Sequence, residues 1–314
     1  MEHETPQAKI ICAGEALMDM LPRQTAENED AFAPYAGGAV FNTAIALGRL
    51  GAPTGFVSGI STDLFGRLLV DTLGQSDVSS AWAIRSANPT TLAFVRLADG
   101  QAQYTFYDEN TAGRMLTPEA MPDLPSEVEA AFFGGISLVA EPCGSAYEAL
   151  MAKLAPRAAL MIDPNVRTSF ITDEDAYRSR IRRMMEMADI IKVSDEDLAW
   201  LLGDGAPADH AHALLKSRAS LVCVTEGSKG ASGYSADGDV RVSAQSVEVV
   251  DTVGAGDTFN AGVMAAIHKA GFLTRDQISK IDQQTVTDAL TLGAKAAGVT
   301  VSRAGANPPW LKEL

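Results

Sequence analysis

The feature that most constrains the fold is a regular alternation of short apolar runs with segments of helical length. Strands are predicted at residues 10–13, 55–60, 130–133, 160–163, 190–193 and 221–225. Helices are predicted at residues 42–50, 144–154, 174–187, 195–202 and 208–216. Strands that alternate with helices indicate an α/β fold with a doubly wound, mostly parallel sheet and helices on both faces. In such a sheet, ligands bind at the carboxyl ends of the strands.

One β-rich section interrupts this alternation. Residues 91–97 and 103–107 have the composition of strands and are joined through Asp99-Gly100, a turn dipeptide. Tyr104, Phe106 and Tyr107 add aromatic bulk to the second strand. The sequence allows either an ordinary edge hairpin or a small lid over the active site.

Composition and charge exclude several classes of protein. With 46% hydrophobic and 21% charged residues and no low-complexity linker, the chain is expected to form one compact unit. A net charge of −15 repels phosphate backbones and anionic lipid, so neither nucleic acid nor a membrane is an expected partner. No apolar run reaches the roughly 18 residues that a membrane span needs.

The cysteines and the first residues bear on the compartment. Cys12, Cys143 and Cys223 are odd in number and lie among apolar or small residues, as expected of thiols in a reducing environment. Residues 1–7 lack the charged start and apolar stretch of a secretion signal. A cytoplasmic location is therefore expected.

The segment with the most chemical information is residues 250–262, where a glycine-rich turn leads into a helix predicted at 259–270. Gly254, Ala255 and Gly256 leave the backbone N–H groups open to an anion, and the helix start adds a favourable dipole. Asp257, at the helix entrance, can accept the proton of a bound hydroxyl group. The alternative is that Asp257 is only a helix N-cap.

This segment closely resembles the C-terminal signature of the ribokinase-like sugar kinases, the PfkB carbohydrate kinase family. Two further motifs, at residues 14–19 and 37–42, lie nearer the N-terminus, and the three motifs stand in the same order as in the family. The resemblance implies a single ribokinase-like domain over residues 1–314, with a β lid formed from segments near 15–38 and 88–108. It also implies transfer of the γ-phosphoryl group of ATP to a hydroxyl group of a small sugar.

The resemblance assigns a set of residues to the sugar: Asp19, Gly37, Gly38, Asn42, Phe106 and Arg167. Two adjacent glycines let a polyol approach the backbone, and an asparagine side chain both donates and accepts hydrogen bonds. Arg167 belongs to residues 163–167, which look like the D-x-N-x-R element of fructokinases and 2-keto-3-deoxygluconate kinases. A surface ion pair of Arg167 with Asp173 or Glu174 is the alternative.

The nucleotide side is assigned in the same way to Lys192, Ser194, Thr225, Gly227, Gly230 and Lys295. Asp197 stands where the family has a glutamate associated with Mg²⁺, and Asp195 or Glu196 are alternatives for that task. Ser194 stands for the family's asparagine, and helix capping accounts for it equally well. Asp251 corresponds to a residue that helps to hold a monovalent cation in several relatives, which implies K⁺ as a further ligand.

Within the family, the sequence looks most like a fructokinase, with 2-keto-3-deoxygluconate kinase as the alternative. The acidic sugar of that alternative needs an additional cation, for which Arg167, Arg96 and Arg114 are available. A non-catalytic sugar-binding relative would be expected to lose Asp257 or the glycines. A dinucleotide-binding dehydrogenase is disfavoured because the third glycine of its fingerprint is absent. The resemblance also implies a homodimer formed through the lid hairpin.

Overall fold

A computed structural model describes residues 8–98 and 101–314, so the predicted Asp99-Gly100 turn and residues 1–7 lie outside the described residues. The strands are β1 (Ile10–Ala13), β2 (Leu17–Gln24), β3 (Asp30–Gly37), β4 (Thr54–Val57), β5 (Gly59–Ser61), β6 (Val78–Ser79), β7 (Ile84–Ser86), β8 (Leu92–Ala98), β9 (Gln101–Tyr107), β10 (Ala130–Gly134), β11 (Ala159–Asp163), β12 (Ile190–Ser194), β13 (Leu221–Thr225), β14 (Ala231–Ser235) and β15 (Gly238–Val242). The helices are α1 (Ala39–Arg49), α2 (Leu64–Gln75), α3 (Cys143–Leu154), α4 (Glu174–Met187), α5 (Asp195–Leu202), α6 (Pro207–Leu214), α7 (Ala255–Lys269) and α8 (Gln283–Val301).

The large sheet has nine strands in the order β15-β14-β13-β12-β11-β10-β1-β4-β6. Neighbours from β6 to β13 run parallel, and β14 and β15 are antiparallel at one edge. The chain winds outward from β1 in both directions, so the strand order reverses between β1 and β10. That reversal is where a doubly wound sheet opens a crevice for ligands.

Hydrophobic cores on both faces of this sheet explain why its strands are almost continuously apolar. In β1, Ile10 and Cys12 pack into the core that contains α1, α7 and α8, whereas Ile11 and Ala13 pack into the core beside α3 and α4. All four side chains are fully buried. The alternation follows from strand geometry, which points successive side chains to opposite faces. No helix in the two described ranges is long and apolar enough to cross a membrane.

A second sheet of four strands, here called the small sheet, has the order β3-β2-β8-β9. β8 and β9 pair antiparallel as the sequence predicts, but β8 also pairs in parallel with β2, which joins two distant parts of the chain. Asp19 of β2 lies beside Ala93, and Ala93 lies beside Phe106 of β9. Asp19 and Phe106 therefore lie on the same face of the small sheet.

Several sequence-based boundaries differ from the structure, among them the start of the helix predicted at 42–50, which begins at Ala39, and two others are wrong near the site. The strand predicted at 55–60 is interrupted at Ser58, because the chain leaves the large sheet after β4 and pairs with β7 through β5. The helix predicted from Phe259 begins four residues earlier, at Ala255, where Gly254 takes a positive φ of 77° as its N-cap. Asp257 is consequently inside the first turn of α7, and the N-cap interpretation of this residue is wrong.

Candidate active site

A cleft of about 330 Å³ opens at the carboxyl ends of β1, β10, β11 and β12, next to the small sheet. All but Gly37 of the residues predicted for sugar binding and catalysis line it: Asp19, Gly38, Asn42, Phe106, Arg167, Gly254, Ala255, Gly256 and Asp257. Lys192, which is assigned to the nucleotide, lines it as well. Residues of the small sheet and of the start of α7 therefore face one common space.

Asp257 lines this cleft, and its side chain is buried. The Asn42 side-chain amide donates a hydrogen bond of 2.9 Å to the Asp257 carboxylate, and the Thr43 hydroxyl donates to the Asp257 carbonyl at 3.2 Å. Burial raises the pKa of Asp257 to about 7, and the nearby charge of Asp163 adds to this effect while the Asn42 hydrogen bond opposes it. A carboxyl group with a pKa near neutrality is suited to accept a proton from a hydroxyl group.

The start of α7 presents its backbone to the cleft. Gly254 has no side chain with which to cap the helix, and a Cβ atom at Gly256 would lie 3.3 Å from the Lys192 ammonium nitrogen. The first N–H groups of a helix have no partner within it and carry partial positive charge. Residues 254–257 and Lys192 line the same cleft, so a side-chain cation lies beside the N–H groups that the glycine-rich motif predicts as an anion site.

Lys192 is itself buried and paired. Its ammonium group donates to the Asp163 carboxylate at 2.8 Å, and the Asn260 amide donates to the same carboxylate oxygen at 2.8 Å. The backbone N–H of Asn165 donates to the other oxygen at 3.2 Å. No role was predicted for Asp163 or Asn260 from the sequence, although a charged residue that ends an apolar strand was the available signal for Asp163.

Close packing surrounds the two glycines that precede α1, and at Gly38 it requires glycine. A Cβ atom at Gly37 would lie 2.2 Å from a carboxylate oxygen of Asp19, and one at Gly38 would lie 2.9 Å from the Glu15 carbonyl oxygen. Gly38 also has a φ of 110°, which L side chains rarely adopt. Burial raises the pKa of Asp19 to about 6.

Glu15 is a cleft residue that the sequence analysis did not single out, although it lies in the motif at residues 14–19. Its carboxylate accepts hydrogen bonds from the backbone N–H groups of Ala39 at 2.9 Å and Ser137 at 3.3 Å. Burial raises the pKa of Glu15, whereas the hydrogen bonds from Ser137 and Val40 lower it.

Arg167 is exposed at the cleft, and one of its guanidinium N–H groups donates to the Val166 carbonyl at 3.0 Å. The surface partners considered for Arg167 are engaged elsewhere. Asp173 accepts a hydrogen bond from the backbone of Ala176 at the start of α4, and Glu174 pairs with Arg178 at 2.7 Å. These contacts favour the interpretation of Arg167 as a residue of the cleft.

Phe106 reaches from the small sheet to the loop that follows β11. Its ring meets the ring of Phe170 edge to face, with the centroids 4.4 Å apart. Phe170 ends a short 3₁₀ helix at residues Thr168–Phe170 that begins directly after Arg167. The predicted sugar-facing residue Phe106 thus bridges the small sheet and the Arg167 segment.

The residues assigned to the nucleotide lie along the next strand ends. Ser194 and Thr225 are register partners at the ends of β12 and β13, and Gly227 and Gly230 shape the turn after β13 with φ values of 55° and 103°. The hydroxyl of Ser194 also caps α5, as its alternative interpretation predicts. Of the residues assigned to the nucleotide, only Lys192 lines the cleft; Lys295 lies exposed on α8 and contacts the Leu314 carbonyl.

The two acidic residues assigned to cations differ in their surroundings. Asp197 is half-buried beside the Asp163–Lys192 pair, and burial together with the charge of Asp163 raises its pKa. Asp251 accepts hydrogen bonds from the backbone N–H groups of Val253 at 3.0 Å and Gly305 at 2.9 Å. Among the described residues there is no group of three or more His, Cys, Asp or Glu side chains placed to hold a metal ion.

Comparison with known proteins agrees with this geometry, since the sequence profile of the pfkB family carbohydrate kinases matches residues 7–313. The chain belongs to this family. It is 50% identical over 281 residues to a fructokinase of Rhizobium leguminosarum bv. trifolii, covering 88% of this chain and 85% of that protein. It is 33% identical to fructokinase-1 of Oryza sativa subsp. japonica, covering 97% of this chain and 95% of that protein.

A solved structure supports the same assignment. The crystal structure of a fructokinase with bound ATP from Xylella fastidiosa matches with a TM-score of 0.86 and 28% identity, covering 95% of this chain and 93% of that one. The predicted ribokinase-like doubly wound fold is confirmed, and so is the prediction of an ATP-dependent sugar kinase.

Proposed function

We propose that this carbohydrate kinase transfers the γ-phosphoryl group of ATP to a hydroxyl group of fructose. The position of Asp257 carries the proposal: it is a buried carboxylate at the bottom of the cleft, in the first turn of α7, held by Asn42. The similarity to proteins named fructokinase supports the choice of sugar.

The chain supplies both parts of a phosphoryl transfer. Asp257 takes the proton of the sugar hydroxyl as the oxygen attacks, and its pKa of about 7 suits that task. The N–H groups at residues 254–257, together with Lys192, stabilise the negative charge on the transferred group. Asp19, Gly38 and Asn42 hold the sugar hydroxyls at the same end of the cleft.

Charge in the cleft favours a neutral sugar over a sugar acid. Glu15, Asp19 and Asp257 all line it, and Lys192 is already paired with Asp163. Arg114 pairs with Asp108 at 2.9 Å, and the side chain of Arg96 is outside the described part of the structure. Arg167 lines the cleft and is the cation available to a substrate carboxylate, but the three acidic groups outnumber it, which disfavours 2-keto-3-deoxygluconate.

We propose Mg²⁺ and a monovalent cation as further ligands of the protein. Mg²⁺ in phosphoryl transfer is usually held by one or two carboxylates, water and substrate phosphates, and Asp197 beside Asp163 offers such a site. When bound, Mg²⁺ neutralises negative charge on the phosphates. The Asp251 carboxylate, between the backbone of Val253 and Gly305, is the site proposed for K⁺. Rates compared in Mg²⁺ and Ca²⁺, and in K⁺ and Na⁺, test both assignments.

We also propose that the small sheet is a lid on a single kinase domain and that two copies associate through its outer face. Phe32 and Tyr107 are 48% and 61% exposed there, and the ring of each meets the ring of Phe94 edge to face. An exposed aromatic cluster of this kind is typical of protein contact surfaces.

We propose further that the protein is located in the cytoplasm. Fractionation of cells that express the full chain tests this location.

The replacement Asp257→Asn tests the base. The amide keeps the shape of the side chain but cannot accept the proton, so ADP release with fructose falls by at least about 100-fold. Fructose binding, measured by calorimetry, remains within a few-fold of wild type. Asp282→Asn, at the exposed start of α8, is the matched control and keeps wild-type turnover. Near-wild-type turnover in Asp257→Asn would exclude this mechanism.

A substrate panel tests the choice of sugar. With ATP in excess, kcat/KM is compared for fructose, glucose, ribose, 2-keto-3-deoxygluconate and a nucleoside, and fructose is expected to give the highest value. A higher kcat/KM for the keto-deoxy acid contradicts the argument from charge. Fructose binding without ADP release would identify a non-catalytic sugar-binding protein.

A further inference from the structure

Helix α1 begins without a cap of its own. Its N-cap residue is Gly38, which has no side chain, and the first turn contains no acidic residue. Gly38 cannot be replaced by a capping residue, because a Cβ atom there would lie 2.9 Å from the Glu15 carbonyl oxygen. The free N–H groups at the start of α1 therefore need acceptors from elsewhere in the chain.

Glu15 supplies these acceptors from the loop after β1. One carboxylate oxygen accepts from the N–H of Ala39 at 2.9 Å and of Val40 at 3.4 Å, and the other accepts from the N–H of Ser137 at 3.3 Å. All three partners are donors, which is the set that a carboxylate needs. The carboxylate also packs against Gly135, where a Cβ atom would lie 2.1 Å from its oxygen.

We infer that Glu15 is a positioning residue for phosphoryl transfer, which fixes the start of α1 and thereby holds Asn42 against the base Asp257. Asn42 lies in the first turns of α1, and its amide donates to Asp257 at 2.9 Å. A shift of about 1 Å at a reacting group can lower a rate by about 100-fold. The inference rests on the proposed role of Asp257 as base.

Glu15 also contributes charge at this site. The groups that act on the pKa of Asp257 are Asp163 from β11, Lys192 from β12, Asn42 from α1 and Glu15 itself. The charges of Asp163 and Glu15 raise the pKa of Asp257, whereas Lys192 and Asn42 lower it. Loss of the negative charge at Glu15 by itself lowers the pKa of Asp257 and moves the acid limb of the pH–rate profile to lower pH, whereas loss of the Asn42 hydrogen bond moves it to higher pH.

Two replacements separate the hydrogen bonds from the charge. Glu15→Gln keeps the length of the side chain but removes the charge and places an amide donor against an N–H group. Glu15→Asp keeps the charge but shortens the reach. Both are expected to lower kcat by about 10- to 100-fold with the KM for ATP unchanged within about two-fold. In Glu15→Asp the loosened Asn42 hydrogen bond should move the acid limb to higher pH, whereas in Glu15→Gln the lost charge opposes that shift, so its acid limb should lie at lower pH than that of Glu15→Asp. Asp282→Asn should change neither quantity.

A measurement on the wild-type chain covers the case in which the variants do not fold. Hydrogen exchange at the amides of Ala39 and Val40 should be slow in the sugar-free protein, because both are bonded to Glu15. Fast exchange at these amides overturns the inference, and so does a wild-type kcat in both Glu15 variants. If Asp257→Asn keeps wild-type turnover, the proposed base fails instead, whatever the result at Glu15.

Discussion

The burial that raises the pKa of Asp257 also affects stability, in a direction that can be worked out. In the unfolded chain this carboxyl group titrates near pH 3.9, whereas its pKa in the fold is about 7. Between these values the folded state binds a proton that the unfolded state has released. Stability therefore falls as pH rises through this window, and above about pH 7 the folded chain contains a buried negative charge.

Asp257→Asn should therefore raise the melting temperature, and by more at pH 8 than at pH 5. The amide resembles the protonated acid, so it removes the buried charge that wild type carries only at the higher pH. Thermal unfolding at the two pH values measures the difference. Asp282→Asn should behave in the opposite way, because hydrogen bonds at the start of α8 lower the pKa of Asp282. Removal of this carboxylate should therefore not stabilise the fold at pH 8. An equal gain at both pH values would contradict the buried charge at Asp257.

Residues of the site differed in how far the sequence predicted them. Asp257, Asn42 and Asp19 stand in contiguous motifs that resemble those of the family, so their place in the cleft could be predicted. Glu15 acts through backbone groups 24 and 122 residues away, and Asp163 through a lysine 29 residues away. Such roles depend on which loops the fold brings together, and no local pattern contains that information.

At the scale of the element, the beginning of α7 decides where the backbone N–H groups point. Gly254 has a φ of 77°, and a Cβ atom there would lie 2.7 Å from the Cβ atom of Ala306. Gly271, just beyond the other end of the helix, has a φ of 80° but no neighbouring atom within 4 Å of such a Cβ. The two glycines share the backbone conformation and differ in the space around them.

This difference gives a matched pair of replacements. Gly271→Ala should cost about 1 to 2 kcal/mol of unfolding free energy through backbone strain alone, with kcat unchanged. Gly254→Ala adds the contact with Ala306, so it should cost more and lower kcat by at least about 10-fold as the N–H groups turn away from the phosphate. Urea unfolding and ADP release measure the two effects. Equal stability and activity in both variants would contradict the steric role of Gly254.

Elements were predicted well where apolar periodicity was strong and less well where glycines interrupt it. The helices at Glu174–Met187 and Asp195–Leu202 begin and end where the sequence predicts. The helix at Leu64–Gln75 was not predicted, and its two glycines lower its intrinsic propensity. The interrupted strand at Ser58 reflects a change of sheet, which depends on the distant partner β7.

At the scale of the molecule, the small sheet presents two faces with different neighbours. Phe106 faces the cleft and contacts Phe170, whereas the adjacent Tyr107 points to the other side, where it stacks on Phe94 with centroids 5.5 Å apart. Neighbouring residues of a strand point to opposite faces. The parallel pairing of β2 with β8, which joins the two predicted lid segments, involves residues more than 70 positions apart and could not be predicted from local pattern.

The two faces can be tested separately with adjacent replacements. Phe106→Ala opens the sugar end of the cleft, so it should raise the KM for fructose by about 10-fold and leave the sedimentation coefficient unchanged. Tyr107→Ala removes an exposed ring that is 61% accessible, so it should weaken self-association and leave the KM for fructose within about two-fold of wild type. Steady-state kinetics and sedimentation velocity over a range of concentrations measure both. An unchanged KM for fructose in Phe106→Ala would exclude the small sheet as a lid over the sugar. Unchanged sedimentation of Tyr107→Ala would show that any contact between two copies lies outside this face of the small sheet.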